Sequence, residues 1–175
     1  MSAIVAFYAG SGTDHRGRSL TEIQSWPDFR LEQVHDYIQW LFPLPERSGF
    51  NPAAPVLSRQ DIAAFRSRPE LQDRLLDSFR AMLRFYGFRL QEGEPPAVVP
   101  SPDHEVRIAE WLTPGNHNFL RMTRILRSMT LLGRESEARA LLACLHEVYE
   151  NQGKRIIGPE TLRYWISAAN SAISG

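Results

Sequence analysis

Apolar side chains recur every three to four residues along most of this chain, which is the spacing of one face of an α-helix. The pattern is clearest between Leu31 and Leu41, between Leu71 and Tyr86, and between Ala138 and Tyr149. No convincing alternation of apolar and polar residues, which is typical of a half-buried strand, accompanies it. The spacing therefore predicts an all-α fold.

Capping residues and helix breakers divide this pattern into about eight helices. Ser2, the capping-box pair Ser19 and Glu22, and Ser58 each precede a periodic segment, as helix N-caps do. Asp28 is expected to cap a helix that continues through HDYIQWL until the prolines of the next loop end it.

The second half of the chain is predicted to contain a long helix, a loop and a helical hairpin. The long helix is expected from Glu70 to Arg89, and Gln91–Pro102 has the composition of a proline-rich loop. Helices at about Asn116–Leu132 and Glu135–Asn151, joined by a turn at Gly133, are expected to form a C-terminal αα-hairpin.

Length and charge limit the class of the protein. At 175 residues, of which 43% are hydrophobic, we expect a single compact helical domain over residues 1–175. The 20 basic and 20 acidic residues give zero net charge, so no nucleic-acid partner is expected. The sequence has no apolar run long enough to cross a bilayer and no signal-peptide pattern. We therefore expect a soluble, cytoplasmic protein without membrane insertion.

Cysteine and histidine are too sparse to predict a metal site. Cys144 is the sole cysteine and lies among leucines in a predicted helix, where an inert, buried thiol is expected. The five histidines show neither H-x-x-x-H nor H-E-x-x-H spacing. The glycines of AGSGTDHRGR lack the G-x-x-x-x-G-K pattern of a phosphate-binding loop. The sequence therefore predicts neither a metal nor another cofactor.

Several stretches of sequence are more specific than the helical pattern. They are FYAG (7–10), LEQVHDYIQWLFPL (31–44), FNPAAPVL (50–57), MLRFYG (82–87) and NHNFLRMTRILRSM (116–129). Together they resemble the conserved region of the opioid growth factor receptor family, over roughly residues 4–133. The resemblance implies a soluble helical domain and, in vertebrates, a receptor for the pentapeptide methionine enkephalin that acts on proliferation from the nucleus. It implies no particular set of ligand-contacting residues.

Three basic residues share one face of the helix predicted near Asn116. His117, Arg121 and Arg124 follow one another at helical spacing close to the helix N-terminus. Guanidinium groups and free backbone N–H groups both donate to anions, so these residues are candidates for binding a small anion or a peptide carboxylate. The alternative is that they pair with internal acids, for which Asp36 and Glu110 are the candidates.

A polar loop bounded by glycines contains Asp14, His15, Arg16 and Arg18. Polar residues on loops are often functional, so Asp14 and Arg18 are candidate ligand-binding residues. The alternative is structural, with Asp14 capping a turn and Arg18 holding the loop in place.

The segment HDYIQWLFPL is apolar on more than one face of its predicted helix. It is therefore either the central helix of the core or one wall of a binding groove. In a groove, Tyr37 and Trp40 would supply aromatic surface, and the following loop would add Phe50 and Asn51. The basic face predicted on the later helix (His117, Arg121 and Arg124) would form the remaining wall. His35 is a separate candidate for ligand binding. In a core, His35 and its neighbour Asp36 would have buried hydrogen-bond partners.

Three functions are compatible with these residues. The first is a non-enzymatic module that binds a peptide or protein partner, which the family resemblance also implies. The second is an enzyme that uses His35, Asp36 or His117 as an acid or base. The third is helix-turn-helix DNA binding by the C-terminal hairpin, which acidic residues such as Glu135 and the zero net charge disfavour. We favour the first, which is not an enzyme.

Overall fold

The chain folds mostly into helices, as the sequence predicts, but it is not purely α-helical. A computed structural model describes residues 1–171, and these residues include a small two-stranded sheet. The chain divides into two compact units, Met1–Ala81 and Met82–Gly175. The single domain over residues 1–175 stays a prediction.

The first unit contains five short helices and the start of a long one. They are α1 (Ala3–Ala9), α2 (Leu20–Gln24), α3 (Asp28–Gln33), α4 (Ile38–Leu41), α5 (Arg59–Ser67) and α6 (Pro69–Tyr86), within which the unit ends at Ala81. Three predicted caps are confirmed. The hydroxyl groups of Ser2 and Ser19 accept hydrogen bonds from the backbone N–H groups of Val5 and Glu22, and Ser58 forms a reciprocal capping box.

The single helix predicted from residue 28 to the following prolines is broken into α3 and α4. Val34 leaves the helical conformation, with φ −88° and ψ 132°. The buried hydroxyl group of Tyr37 donates to the backbone carbonyl of Leu31 in α3 at 2.8 Å, so a side-chain hydrogen bond competes with the backbone hydrogen bonds of a continuous helix at this point. The prediction that Asp28 caps α3 was also wrong by one residue, since Pro27 holds the cap position.

A buried polar network connects four helices of the first unit. The hydroxyl group of Tyr8 donates to the carbonyl of Leu41 at 2.5 Å and lies 2.9 Å from Oγ of Ser78. Gln24 Nε2 donates to the same Ser78 oxygen at 2.9 Å. Burial raises the pKa of Tyr8, and the hydrogen bond with Ser78 offsets part of that rise. Because every member is hydrogen-bonded, the network stabilises the unit instead of leaving polar groups buried without partners.

A β-hairpin replaces the end of the predicted long helix and part of the predicted proline-rich loop. Strand β1 (Phe88–Gln91) pairs antiparallel with β2 (Ala97–Pro100). Helix α6 ends at Tyr86 because Gly87 has φ +86°, and a Cβ atom at Gly87 would lie 2.7 Å from the Cβ of Arg107. The all-α prediction missed these strands because four residues are too few to show an alternating pattern.

The second unit contains the pair of packed helices that the sequence predicts as a hairpin. After the sheet come α7 (His104–Trp111), α8 (Asn118–Leu131), α9 (Glu135–Val148), a π-helical turn (Tyr149–Gly153), α10 (Lys154–Ile157) and α11 (Pro159–Ala169). Helix α8 packs against both α9 and α11. Gly133, with φ +97°, forms the turn between α8 and α9, so the predicted αα-hairpin is confirmed.

Two tryptophans anchor the core of the second unit. The indole N–H of Trp165 donates to the carbonyl of Phe119 at 3.1 Å, and their rings meet edge to face. The indole N–H of Trp111 donates to the carbonyl of Tyr86 at 2.9 Å. Both indole N–H groups are therefore hydrogen-bonded, while the two rings fill the core.

Three further features bear on chemistry. Burial raises the pKa of the Cys144 thiol to about 12, and the charge of Glu147 adds to the rise, as expected of an inert thiol. Within residues 1–171, no helix has the length and apolar character needed to cross a membrane. The same residues contain no group of three or more His, Cys, Asp or Glu side chains arranged to hold a metal ion.

Candidate functional site

An open depression on the first unit brings together two segments that are distant in sequence. It has a volume of about 410 Å³ and is lined by Arg16, Arg18, Val34, His35 and Asp36. The arginines come from the loop between α1 and α2, and the other three residues come from the break between α3 and α4. Pockets for small ligands typically enclose about 300–1,000 Å³, so this depression is large enough to receive part of a peptide.

Asp14 organises the loop that carries both arginines. Its Oδ1 accepts hydrogen bonds from the backbone N–H groups of Arg16 and Arg18, both at 2.9 Å. Its Oδ2 accepts a hydrogen bond from Nε of Arg18 at 2.6 Å, and the Asp14 side chain is fully buried. The backbone N–H of Asp14 in turn donates to the carbonyl of Arg18 at 2.9 Å. One carboxylate therefore closes the loop and fixes the Arg18 guanidinium.

Asp36 joins this loop to the break between α3 and α4. Its Oδ2 accepts a hydrogen bond from Nε of Arg16 at 2.5 Å, and its Oδ1 accepts one from Nη2 of Arg18 at 2.9 Å. Nε2 of His15 lies 3.3 Å from Oδ2. The backbone carbonyl of Asp36 accepts a hydrogen bond from Nδ2 of Asn51 at 3.2 Å. The broken helix thus places Asp36 where a continuous helix would not, between two arginines.

The two arginines control the charge state of this site. Burial on its own would raise the pKa of Asp36, but the hydrogen bonds and positive charges of Arg16 and Arg18 outweigh it, and the pKa is lowered. For Arg18, burial would lower the pKa, but the hydrogen bonds and charges of Asp36 and Asp14 raise it. Asp36 is therefore an anion and Arg18 a cation throughout the neutral range.

The lowered pKa of Asp36 predicts a loss of stability in acid. Because the folded-state pKa lies below the ordinary 3.8, ionised Asp36 stabilises the fold above about pH 4, and this contribution disappears as the pH falls through the folded-state pKa. We expect Asp36→Asn to lower the free energy of unfolding at pH 7, with a difference from wild type that shrinks between about pH 5 and pH 2. Urea unfolding at a series of pH values measures this difference, and a constant difference over that range would contradict the prediction.

His15 lies between Trp40 and Asp36, with both ring nitrogens engaged. The indole N–H of Trp40 donates to Nδ1 of His15 at 3.0 Å, and the planes of the two rings are nearly parallel, at 15°. An indole nitrogen only donates, so Nδ1 must be the acceptor and Nε2 carries the proton facing Asp36. Trp40 is 5% exposed, which makes this hydrogen bond a fixed support for the loop.

This geometry predicts the tautomer of His15. Neutral His15 should be protonated at Nε2, because Nδ1 accepts from Trp40 and Nε2 faces the Asp36 carboxylate. A long-range ¹H–¹⁵N correlation spectrum distinguishes the two tautomers, and Trp40→Phe should weaken the preference. Protonation at Nδ1 in the wild-type protein would show that the arrangement is wrong.

Most of the residues predicted in the first half of the chain surround this depression. Those that line it or hold its walls are Arg18, His35, Asp14, Trp40 and Asn51. Tyr37 is different, because its side chain is 0% exposed and forms part of the core. Its hydroxyl group donates to the carbonyl of Leu31 in α3, next to the break between α3 and α4.

The three basic residues predicted as an anion site belong to the second unit. His117 is exposed and precedes α8, while Arg124 is half-buried. Arg121 is 5% exposed, and its Nη1 donates to Oδ1 of Asn118 at 3.4 Å. Asp36, one of the acids considered as their partner, is paired instead with Arg16 and Arg18 of the loop between α1 and α2. An anion site at these residues stays a prediction.

The network of the depression includes three residues that the sequence did not predict as binding residues, namely Arg16, His15 and Asp36. Arg16 and His15 were part of the polar loop but not candidates, and Asp36 was considered mainly as a core residue. The sequence does contain one pattern that indicates the structured loop around Asp14. An aspartate followed by polar residues between glycines favours hydrogen bonds from the backbone to its side chain. The break between α3 and α4, which brings Asp36 to this loop, had no such signal.

Comparison with known proteins finds relatives that are named opioid growth factor receptor or opioid growth factor receptor-like protein. Over 115 residues the chain is 42% identical to the opioid growth factor receptor of Rattus norvegicus, covering 65% of this chain and 20% of that protein. It is 41% identical to the Homo sapiens receptor over 115 residues, covering 65% of this chain and 17% of that protein. It is 34% identical over 144 residues to opioid growth factor receptor-like protein 1 of Mus musculus, covering 78% of this chain and 29% of that protein.

These relatives are several times longer than the matched region, which makes up 17–29% of their length. No solved structure matches the chain. The family model for the opioid growth factor receptor (OGFr) conserved region matches residues 18–172, a range that begins at Arg18 and includes Val34, His35 and Asp36 of the depression. The chain therefore belongs to the family defined by the opioid growth factor receptor conserved region.

Proposed function

We propose that this chain is a non-enzymatic module that binds a peptide, or a segment of a partner protein, in the depression of the first unit. The observation that carries the proposal is an open depression whose walls are fixed by charged hydrogen bonds. Arg18 is held by Asp14 and Asp36, and Asp36 is held by Arg16 and Arg18. Side chains that are already ordered lose little entropy when a ligand binds, which favours recognition by a small surface.

The family supports a receptor-like role of this kind. Relatives named opioid growth factor receptor share 41–42% identity with the chain over 115 residues. Because those residues form about a fifth of the longer proteins, receptor activity of the whole protein is part of the proposal and does not follow from the match. Methionine enkephalin, the ligand that the family resemblance implies, is the appropriate first probe.

An enzyme receives less support from the same geometry. Both ring nitrogens of His15 are engaged, by Trp40 and by Asp36, whereas a general base needs a nitrogen within reach of a substrate proton. The lowered pKa of Asp36 makes it unsuited to donate a proton near neutral pH. With 20 basic and 20 acidic residues, the chain also lacks the positive charge that favours nucleic-acid binding.

The test is to map ligand contacts on ¹⁵N-labelled protein by NMR. Methionine enkephalin, and pentapeptides of the same composition in scrambled order, are titrated while backbone amide shifts are followed. We expect saturable shift changes for the cognate peptide that concentrate at residues 14–18 and 34–40. No saturable change with any peptide, or changes confined to residues 82–171, would contradict the proposal.

A pair of matched variants makes the test specific to the depression. Val34→Trp places a large ring where Val34 lines the depression and should abolish the shift changes. Val56→Trp is the control, because Val56 is 43% exposed and lies in a loop of the same unit. Circular dichroism must show that both variants are folded. Equal binding by the two variants would place the ligand elsewhere.

A further inference from the structure

The hydrogen bonds inside the depression determine which groups remain to meet a ligand. Both oxygens of Asp36 already accept hydrogen bonds, from Arg16 and Arg18, and Nε2 of His15 lies 3.3 Å from Oδ2. Both oxygens of Asp14 already accept as well, and that side chain is fully buried. The Asp14 carboxylate is therefore inaccessible to a ligand, and the Asp36 side chain, at 21% exposure, is less accessible than that of Arg16, at 66%.

Arg16 differs from every other charged group of the network. Only its Nε is engaged, in the hydrogen bond to Oδ2 of Asp36. The side chain is 66% exposed, and among residues 1–171 no hydrogen bond is formed by its two terminal nitrogens. These nitrogens carry four N–H donors in a planar fork. The most exposed hydrogen-bonding capacity in the network is thus the donor capacity of the Arg16 guanidinium.

We propose that the terminal nitrogens of Arg16 bind a carboxylate of the peptide or protein ligand. The inference deepens the proposed function and rests on it. A guanidinium fork matches the spacing of two carboxylate oxygens and forms charge-assisted hydrogen bonds that are stronger than those to a neutral carbonyl. The Asp36 hydrogen bond holds the base of the guanidinium, so the fork is oriented before the ligand arrives.

The charge balance of the network permits a bound anion. Arg16 and Arg18 together carry two positive charges, and Asp14 and Asp36 carry two negative charges. Asp14 has no exposed side-chain surface, whereas Arg16 has the largest exposed fraction of the four. The Arg16 guanidinium is therefore the most accessible of the four charged groups, and a ligand carboxylate that reaches it gains a favourable Coulomb interaction.

The test uses the smallest probes that carry the relevant groups. N-acetylglycine has the carboxylate of a peptide terminus, and N-acetylglycinamide is the same molecule without the charge. Inorganic phosphate is a third probe, since an arginine fork also accepts phosphate oxygens. Each is titrated at constant ionic strength while the Nε–H resonance of Arg16 and the amides of residues 14–18 are followed by NMR.

We expect saturable shifts with N-acetylglycine, and none with N-acetylglycinamide at the same concentrations. Arg16→Gln should weaken N-acetylglycine binding by about tenfold or more. Arg68→Gln is the matched control, because Arg68 lies in the same unit, is partly exposed and donates through Nε to Glu70 at 2.7 Å. That variant should bind as wild type does.

Each other outcome has a distinct meaning. Equal shifts with the acid and the amide, or full binding by Arg16→Gln, would overturn the carboxylate assignment, whether or not a longer peptide binds in the depression. A response to phosphate alone would also overturn it. If N-acetylglycine binds at Arg16 while no pentapeptide shifts residues 14–18 or 34–40, the carboxylate site stands and the peptide-binding function falls.

Discussion

Asp14→Ala should lower the free energy of unfolding by about 3 kcal/mol, one of the two largest effects expected in this protein. The substitution removes the acceptor of three hydrogen bonds, two from backbone N–H groups and one from Nε of Arg18. It also leaves the Arg18 guanidinium, whose side chain is 11% exposed, without its closest counter-ion. Breaking a buried ion pair on one side is costly because the remaining charge stays poorly solvated.

Chemical denaturation of Asp14→Ala measures this loss, and Asp77→Ala is its control. Asp77 forms a longer contact of 3.4 Å with Arg80, and its side chain is 56% exposed. The same chemical change there should alter stability by about 0.5 kcal/mol or less. If the two variants were equally stable, Asp14 would not be the organising residue of the loop.

Trp165→Ala should cost about 3–5 kcal/mol by removing one of the two tryptophan rings from the core of the second unit. Trp165 is 0% exposed. Its ring packs edge to face with that of Phe119, and its indole N–H satisfies the Phe119 carbonyl at 3.1 Å. The variant therefore loses buried apolar surface, leaves a cavity and removes a hydrogen bond to a buried carbonyl.

The neighbouring Tyr164 provides a control on the same helix. It is 56% exposed, and its hydroxyl group donates to Glu160 one turn earlier. Tyr164→Ala should change the free energy of unfolding by about 0.5 kcal/mol or less. Thermal or urea unfolding of both variants gives the comparison, and a loss in Trp165→Ala no greater than that in Tyr164→Ala would refute the assignment of Trp165 to the core.

The parts of the fold that sequence predicted well are those with strong local signals. Ser2, Ser19 and Ser58 cap helices as expected, because an N-cap hydroxyl acts within three residues of itself. The hairpin of α8 and α9 was also predictable, since each helix is 14 residues long and its apolar stripe repeats several times. Local chemistry determines both features.

The parts that sequence missed depend on hydrogen bonds that apolar periodicity does not reveal. The break at Val34 is held by the hydroxyl group of Tyr37 and by Asn51, whose side chain donates to the carbonyl of Asp36. The apolar pattern continues through this break, so periodicity alone predicts an uninterrupted helix. The strands Phe88–Gln91 and Ala97–Pro100 are four residues each, which is too short for an alternation of apolar and polar residues to indicate that they pair.

The candidate site follows the same division. The loop around Asp14 was recognisable because polar residues between glycines are characteristic of a structured turn. The approach of Asp36 to that loop was not predictable, because it requires the break between α3 and α4. The sequence therefore does not indicate that Nε of Arg16 lies 2.5 Å from Oδ2 of Asp36.

Above all, we propose that a ligand binds in the depression of the first unit through Arg16. The most direct test compares the dissociation constant of a carboxylate-bearing peptide for Arg16→Gln and for Arg124→Gln, measured by calorimetry. Arg124 represents the basic face of α8, where the sequence predicted an anion site. We expect Arg16→Gln to weaken binding by about tenfold or more and Arg124→Gln to leave it unchanged. Unchanged binding by Arg16→Gln together with weakened binding by Arg124→Gln would contradict the claim and move the site to the second unit.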